Sequence, residues 1–333
     1  MYCSIQKLKA GKVRQPCKIT TPQGNNLLAL IASNRISAYE RTFDKEVPFK
    51  GAILTQIANY YFEKLREAGF PVWTIDTKNK LPGNVTLGCF AEPVDCELIV
   101  RRYITGSLWR KLRDGKEVPW EDVHRLVESD TTFREYQRLN GLIFTPTLKD
   151  DENHDPPVSE QELIDRGIIK STEEMAEIKK LCLDMFEFGE GLAEEQGLVL
   201  VDTKFEIGRD PVTGNLVVID EIFTPDSSRY WYEYSVLESP GVEPIGLDKE
   251  FVRKDILALM VEQGFAPENP TDDEIKEGIN HVIIPLGKFK EWSEAYLRFY
   301  KQITGQDFDH GYVLGNEHAP EKLSSYLNKY YPS

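Results

Sequence analysis

The chain has 333 residues, of which 41% are hydrophobic and 29% are charged, proportions typical of a globular protein with one large domain or two lobes. Its formal net charge of −15 argues against a general nucleic-acid or anionic-membrane surface. The five scattered cysteines show no metal-ligand spacing, and no apolar run has the length of a leader or a membrane span. We therefore expect a cytoplasmic protein.

A glycine lies between basic residues near the start of the chain, in the segment KAGKVR at residues 9–14. Gly11 would let backbone N–H groups approach a phosphate, and Lys12 and Arg14, on either side of Val13, would neutralise its charge. The spacing is not that of a Walker A loop. Taken alone, the segment is more typical of an ordinary basic turn.

The next elements are predicted to have a structural role. An apolar run at residues 27–32, LLALIA, predicts a buried strand, and the helical spacing of apolar residues over 53–65 predicts a helix that packs on the same sheet. Between them lies the polar segment SNRISAYE, which contains Asn34 and Glu40. Its simplest interpretation is a polar loop that follows a strand.

A possible phosphate site follows at residues 98–107, LIVRRYITGS. The pattern predicts a strand that ends in arginines and passes through a Thr-Gly-Ser turn into a helix. Arg101 could bind phosphate in bidentate fashion, and the backbone at Gly106 and Ser107 could add N–H donors at the helix start. The alternative is that the arginines simply lie at an exposed strand end.

The segment LVLVDTKFEI at residues 198–207 predicts a strand with charges at alternate positions. Since side chains alternate between the two faces of a strand, Asp202, Lys204 and Glu206 share one face. A long preceding helix, predicted to begin with the capping pair Ser171 and Glu174, should pack behind this strand. The alternative for the charged face is simple solvation.

A turn at residues 210–215 should lead into a return strand over 216–223. If the register brings Asp220 beside Glu206, two carboxylates meet next to the ammonium of Lys204. Such a face suits magnesium and a nucleotide, because magnesium takes one or two carboxylates together with phosphate oxygens. The loop length leaves the register open.

Further candidate binding residues come after the predicted hairpin. The loop TPDSSR at residues 224–229 places Asp226 and Arg229 next to two hydroxyls. In a later predicted helix, Lys249 and Arg253 are four residues apart and so share one helical face. A solvated basic pair is the equally simple alternative for these two.

Several of these segments together resemble the SAICAR synthetase family. The strongest match is VDTKFEIG followed by IDEIFTPDSSRYW, and the segments GKVR, VRRYITGS and IFTPTLK occur in the family's order. The family's TDRISAFD appears here as SNRISAYE, so Asn34 and Glu40 replace two aspartates. The resemblance covers residues 9–308, nearly the whole chain.

The resemblance implies an α+β fold with a small N-terminal antiparallel-sheet lobe, a larger α/β lobe with C-terminal helices, and a nucleotide cleft between them. We expect the ATP-binding lobe to span residues 1–92 and the ribonucleotide- and aspartate-binding lobe to span 93–333. The implied activity is the ligation of L-aspartate to carboxyaminoimidazole ribonucleotide, with ATP and Mg²⁺, in purine biosynthesis. A different ATP-dependent ligase or kinase and a non-catalytic nucleotide-binding relative remain alternatives.

The same resemblance, combined with the residue patterns, assigns roles to individual side chains. We expect Lys204 and Asp202 to be catalytic, and Glu206 and Asp220 to bind magnesium. The ATP-binding set is Gly11, Lys12, Val13, Arg14, Glu206 and Asp220. The substrate-binding set is Arg101, Gly106, Ser107, Asp226, Arg229, Lys249 and Arg253.

Overall fold

The computed structural model describes residues 3–39, 41–75, 81–129, 132–149, 155–238, 242–268, 270–311, 313, 314, 322, 323 and 327, and the elements below belong to this part of the chain. Glu40 and much of the C-terminal tail lie outside the described residues. The chain divides into two compact units. Unit 1 comprises residues 1–63, 74–90 and 247–333, and unit 2 comprises 64–73 and 91–246.

The elements follow one another as strands and helices throughout. The first part contains β1 (Ser4–Lys7), β2 (Arg14–Thr20), β3 (Asn26–Ala32), β4 (Arg35–Ala38), β5 (Arg41–Glu46), α1 (Lys50–Glu67) and β6 (Val85–Cys89). The middle contains β7 (Glu92–Pro93), β8 (Cys96–Tyr103), α2 (Gly106–Arg113), α3 (Glu121–Ser129), β9 (Arg138–Phe144), β10 (Thr147–Leu148), α4 (Glu160–Asp165), α5 (Thr172–Glu194), β11 (Leu198–Arg209), β12 (Leu216–Ile219), β13 (Ser228–Tyr232) and α6 (Glu233–Glu238). The last part contains α7 (Glu250–Glu262), α8 (Asp272–Gly278) and α9 (Leu286–Thr304).

Every strand pairing between these elements is antiparallel, and helices accompany the sheets in both units. The predicted α+β class is therefore confirmed. Among the described residues, no helix has both the length and the apolar character needed to span a membrane.

Unit 1 is built on an antiparallel sheet in the order β1-β2-β3-β6. The predicted strand at 27–32 is β3, and its inward side chains join a core to which Leu314, Leu323 and Leu327 from the end of the chain also belong. Ser293 on α9 donates its hydroxyl to the carbonyl oxygen of Pro48 at 2.7 Å. These contacts explain why residues 247–333 belong to unit 1, whereas the sequence had placed them with the second lobe.

Asn34 anchors the start of α1. Its side-chain oxygen accepts a hydrogen bond from the N–H of Gly51 at 3.0 Å, and its carbonyl oxygen accepts from the N–H of Val47 at 2.9 Å. Either an amide or a carboxylate oxygen can satisfy an N–H group at a helix start. The replacement of a family aspartate by Asn34 therefore keeps the acceptor that this structure uses.

Strand β11 is the centre of the unit 2 sheet, which also contains β7, β8, β9, β10, β12 and β13. One edge of β11 pairs with β8 and then β7, while the other edge pairs with β13 and then β12. Pairing along both edges satisfies the backbone donors and acceptors on each side of the strand. The result is a rigid platform for side chains on its open face.

Helix α5 packs against β11, as the sequence predicted. The hydroxyl of Ser171 accepts from the N–H of Glu174 at 3.3 Å and so caps the first turn. The carboxylate of Glu174 meanwhile binds the guanidinium of Arg209 through two hydrogen bonds of 2.8 and 2.7 Å. The cap and this ion pair fix the helix start to the end of β11.

Replacing Asn34 tests the anchor of α1. Asn34→Ala removes the acceptor for Gly51 N–H and should lower the free energy of unfolding by about 1 kcal/mol, the usual cost of a lost cap. Asn34→Asp keeps the acceptor and adds a negative charge at a helix N-terminus, so its stability should equal or exceed that of the unaltered protein. Urea denaturation measures both. Equal losses for the two variants would contradict the anchor.

Candidate functional site

The open face of β11 carries a row of charged side chains. Because successive residues alternate between faces, Asp202, Lys204 and Glu206 lie on one face, as predicted, while Phe205 and Ile207 on the other are fully buried. Asp202 and Glu206 are separated by four residues, or roughly 13 Å along an extended strand. The row therefore has two ends, each with its own set of partners.

At the first end, two arginines converge on one carboxylate. Asp202 is paired with Arg101 of β8 on one side and with Arg229 of β13 on the other. Its Oδ2 accepts from Nη1 of Arg101 at 3.0 Å and from Nη1 of Arg229 at 2.5 Å. Arg101 also donates to the hydroxyls of Thr145 at 3.0 Å and Ser107 at 3.3 Å. We call these five residues the arginine cluster.

The arginine cluster is largely shielded from water. The side chains of Arg101 and Asp202 are 3% and 8% exposed, while that of Arg229 is 21% exposed. Burial lowers the pKa of Arg101 to about 10, although the carboxylate of Asp202 opposes the shift. Arg101 is therefore charged at neutral pH, and its guanidinium group, together with that of Arg229, has the donor chemistry that binds an anion.

Gly106, at the start of α2, has a backbone that only glycine adopts readily, with φ at +57°. A Cβ at this position would fall within the guanidinium group of Arg229. Thr105 lies in extended conformation just before the helix, and Ser107 follows within it. The glycine thus allows a helix N-terminus and a guanidinium group to lie side by side.

At the second end, ammonium and carboxylate groups alternate. The ammonium of Lys204 donates to Oε1 of Glu97 at 2.5 Å and lies 3.5 Å from Oε1 of Glu206. The ammonium of Lys149, just after β10, donates to Oε2 of Glu206 at 2.6 Å. Both oxygens of Glu206 are therefore close to a cation. We call Glu97, Lys149, Lys204 and Glu206 the lysine–glutamate cluster.

The pKa shifts in this cluster follow from burial and from neighbouring charges. Burial raises the pKa of Glu97, and the nearby Lys204 only partly opposes the shift. Burial alone would lower the pKa values of Lys204 and Lys149, but neighbouring carboxylates, Glu206 foremost, raise both above the ordinary lysine value. Both lysines are therefore positively charged at neutral pH.

Asp220 lies where the chain leaves the sheet. Glu206 pairs with Ile219, the last residue of β12, so Asp220 comes directly after the partner of Glu206. Its φ of +61° turns the chain away from β11, so that β12 ends at Ile219. The sequence had predicted that this strand continues to residue 223. The carboxylate of Asp220 is close enough to Lys149 and Lys204 to raise the pKa values of both.

The loop after Asp220 is stabilised by packing against α5 and by hydrogen bonds within the loop. Phe223, fully buried and with φ at +54°, packs on Gly189 of α5, where a Cβ would fall within its ring. The hydroxyl of Thr224 accepts from the N–H groups of Asp226 and Ser227 at 3.3 and 3.2 Å. The chain is thereby directed into β13, which carries Arg229.

The second end of the row has oxygen donors of the kind that magnesium prefers. Glu206 and Asp220 supply the carboxylate oxygens that magnesium prefers, and phosphate oxygens and water can complete its coordination. Among the residues the structure describes, no group of three or more His, Cys, Asp or Glu side chains forms a complete metal cage. The donor set thus matches a cation that arrives with a phosphate ligand.

The remaining predicted residues lie in unit 1. Gly11, Lys12 and Val13 lie in the connection between β1 and β2, and Arg14 begins β2. The N–H of Gly11 donates to the carbonyl oxygen of Arg14 at 2.9 Å. The carbonyl oxygen of Val13 accepts from the hydroxyl of Ser33 at 2.8 Å, while Lys12 is exposed. This loop is therefore a backbone-bonded turn that presents a cation.

Lys249 and Arg253 lie at the start of α7, also in unit 1. Arg253 donates to the carboxylate of Glu250 at 3.0 Å, and its carbonyl oxygen accepts from the hydroxyl of Tyr39 at 3.1 Å. Lys249 and Arg253 are four positions apart at the start of one helix, as predicted. Their assignment to substrate binding stays a prediction.

Three members of the two clusters were not assigned from the sequence: Glu97, Thr145 and Lys149. Glu97 and Arg101 are four positions apart on β8 and so share a face, which was missed because the predicted strand began at Leu98. Arg102, to which no role was given, binds Glu190 through two hydrogen bonds of 2.7 and 2.6 Å and lies apart from Asp202 in this network.

Comparison with known proteins supports the family resemblance. A family model described as SAICAR synthetase matches residues 7–266. A phosphoribosylaminoimidazole-succinocarboxamide synthase from Cytophaga hutchinsonii is 34% identical over 283 residues, which are 84% of this chain and 84% of that protein. The match extends over both units.

Solved structures share the fold. SAICAR-synthase from Saccharomyces cerevisiae, complexed with SAICAR, gives a TM-score of 0.70 at 24% identity and covers 92% of this chain and 97% of that chain. A SAICAR synthetase in complex with ADP gives a TM-score of 0.64 at 22% identity, with 91% and 100% of the two chains covered. These likenesses show that the α+β fold is shared with SAICAR synthases. The chain belongs to the SAICAR synthetase family.

Two glycines on α5 offer a matched test of the loop's support. Gly189→Ala places a methyl group inside the ring of Phe223 and should lower the free energy of unfolding by about 1–3 kcal/mol, as overpacking does. Gly191, two residues later, has open space around it. Gly191→Ala should raise stability by about 0.5–1 kcal/mol through helix propensity. Thermal unfolding measures both, and equal effects at the two positions would contradict the packing of Phe223.

Proposed function

We propose that this protein ligates L-aspartate to carboxyaminoimidazole ribonucleotide, with conversion of ATP to ADP and phosphate, in de novo purine biosynthesis. The observation that carries this proposal is the single face of β11 with an arginine cluster at one end and a lysine–glutamate cluster at the other. The first suits a sugar phosphate and the second suits a magnesium-bound triphosphate. The SAICAR and ADP complexes of related structures support both ligands.

The arginine cluster would bind the 5′-phosphate of the ribonucleotide. Arg101 and Arg229 supply charged N–H donors, Ser107 supplies a hydroxyl, and the start of α2 at Gly106 supplies backbone N–H groups. Asp202, which the sequence analysis expected to be catalytic, would instead fix the two guanidinium groups in one orientation. Such preorganisation reduces the entropy lost when the phosphate binds.

The lysine–glutamate cluster would bind the nucleotide. Glu206 and Asp220 would hold magnesium, which when bound neutralises phosphate charge during transfer. Lys204 would stabilise the charge that develops on the transferred phosphoryl group. Lys12 and Arg14, with backbone groups at Gly11 and Val13, are assigned to the phosphates of ATP.

The proposed chemistry proceeds through an acyl phosphate. A carboxylate oxygen of the ribonucleotide attacks the γ-phosphorus of ATP, and ADP leaves. The amine of L-aspartate then attacks the acyl carbon, phosphate leaves with its bonding electron pair, and the nitrogen loses a proton to give the amide. The protein's main contribution is to position the reactants and neutralise charge. Asp226, Lys249 and Arg253 are assigned to the polar groups of the substrates.

Release of ADP tests the overall reaction. Turnover should require both carboxyaminoimidazole ribonucleotide and L-aspartate. ADP release that proceeds fully without L-aspartate would instead indicate a different ATP-dependent kinase or ligase. Tight ATP binding without turnover under all conditions would indicate a nucleotide-binding protein that is not an enzyme.

Lys204→Ala tests the charge-stabilising role. We expect kcat to fall by about a hundredfold or more, the scale seen when a donor to developing negative charge is removed. Circular dichroism and the thermal midpoint should show that the variant still folds. Normal turnover in a folded Lys204→Ala protein would remove the assignment.

Gly106→Ala tests the phosphate site. The added Cβ displaces Arg229 and strains the backbone, so the KM for the ribonucleotide should rise by about tenfold or more, the value of a lost charged hydrogen bond. The KM for ATP should change little. Gly141→Ala is the control, since Gly141 on β9 has open space around it. An unchanged KM for the ribonucleotide in Gly106→Ala would contradict the site.

A further inference from the structure

Both oxygens of Glu206 lie close to ammonium groups. Lys149 lies 2.6 Å from Oε2, and Lys204 lies 3.5 Å from Oε1. A magnesium ion would need one of these oxygens at about 2.1 Å. An ammonium group and a divalent cation on the same carboxylate repel each other, so at least one lysine must move when a cation binds.

Lys149 is the lysine that can leave. Lys204 lies within β11, and its ammonium is also bound to Glu97 at 2.5 Å. Lys149 follows β10, a strand of two residues, and its side chain is 35% exposed. A long flexible side chain at the end of a short strand can reorient at little cost, whereas Lys204 would have to give up two carboxylates.

We propose that Lys149 competes with the divalent cation for Glu206 and is displaced only when the cation binds together with a polyphosphate. This inference rests on the proposed function of the same site. The ammonium of Lys149 neutralises the charge of Glu206. When a magnesium-bound triphosphate arrives, its phosphate oxygens offer Lys149 a new anionic partner in exchange for Glu206.

A divalent cation that arrives alone makes no such exchange possible. Lys149 would then lose the carboxylate of Glu206 and gain no phosphate in return. Glu206 and Glu97 already have the ammonium groups of Lys149 and Lys204 as partners. Free cation binding is therefore weak, and binding with nucleotide is favoured. Lys149 acts as a positioning residue that couples the two ligands.

The binding of Mn²⁺, followed by electron paramagnetic resonance of the free ion, tests this coupling without any turnover. In Lys149→Met the affinity for Mn²⁺ without nucleotide should rise by about tenfold, since a charged competitor for Glu206 is gone. ADP should then strengthen Mn²⁺ binding less than it does in the unaltered protein. Lys149→Arg keeps a cation at Glu206 and should bind free Mn²⁺ as weakly as the unaltered protein.

Lys179 on α5 provides a matched control. It is also partly buried and binds two carboxylates, those of Asp122 at 3.0 Å and Glu160 at 2.8 Å, and neither is a predicted metal ligand. Lys179→Met should leave Mn²⁺ binding unchanged, and an increase equal to that of Lys149→Met would overturn the proposal as a nonspecific charge effect.

Glu206→Gln separates this inference from the function on which it rests. If Glu206→Gln loses Mn²⁺ binding in the presence of ADP but Lys149→Met leaves the affinity for free Mn²⁺ unchanged, the metal site stands and the role of Lys149 is wrong. If Glu206→Gln binds Mn²⁺ with ADP as tightly as the unaltered protein, the metal assignment itself fails, and the role of Lys149 fails with it.

Discussion

The convergence of Arg101 and Arg229 on the buried carboxylate of Asp202 is the interaction on which the site depends. Removing the carboxylate would leave two guanidinium groups close together in a poorly solvated environment, a costly arrangement. The geometry comes from the sheet, because β8 and β13 flank β11 at Asp202 and the pairing with β13 shifts register between Leu200 and Asp202. Such irregularities often re-aim side chains beside functional sites.

One strand thereby serves two chemical purposes. Its apolar face, with Phe205 and Ile207, is buried and packs beneath α5, while its polar face carries the two charged clusters. The pleat fixes the spacing between the arginine cluster and the lysine–glutamate cluster independently of loop movement. Under the proposed function, the sugar phosphate and the triphosphate would both be held by one rigid element, at a set separation.

Local pattern predicted the central parts of this arrangement and failed where long-range packing or unusual backbone decides. Alternation along β11 placed Asp202, Lys204 and Glu206 on one face because that periodicity is intrinsic to a strand. The predicted end of β12 was wrong, because the chain leaves the strand at Asp220, which has a positive φ, although the apolar pattern continues to Phe223. Aspartate adopts positive φ more readily than most residues, but nothing in the local pattern required it here. No role was predicted for Lys149, because its partner, Glu206, is 57 residues away in the chain. The grouping of residues 247–333 with the N-terminal sheet also depends on long-range contacts and was not predicted.

The packing of Phe223 on Gly189 links a position in the middle of a helix to a loop beside the site. Glycine destabilises a helix interior. Gly189 is nevertheless required, because only glycine leaves room for the ring of Phe223, which orients the chain between Asp220 and Arg229. Neither position can be redesigned alone: a larger residue at 189 requires a smaller one at 223. Replacing Gly189 to stiffen α5 would thus alter the loop, and at this position the selection of paired substitutions would be the productive route.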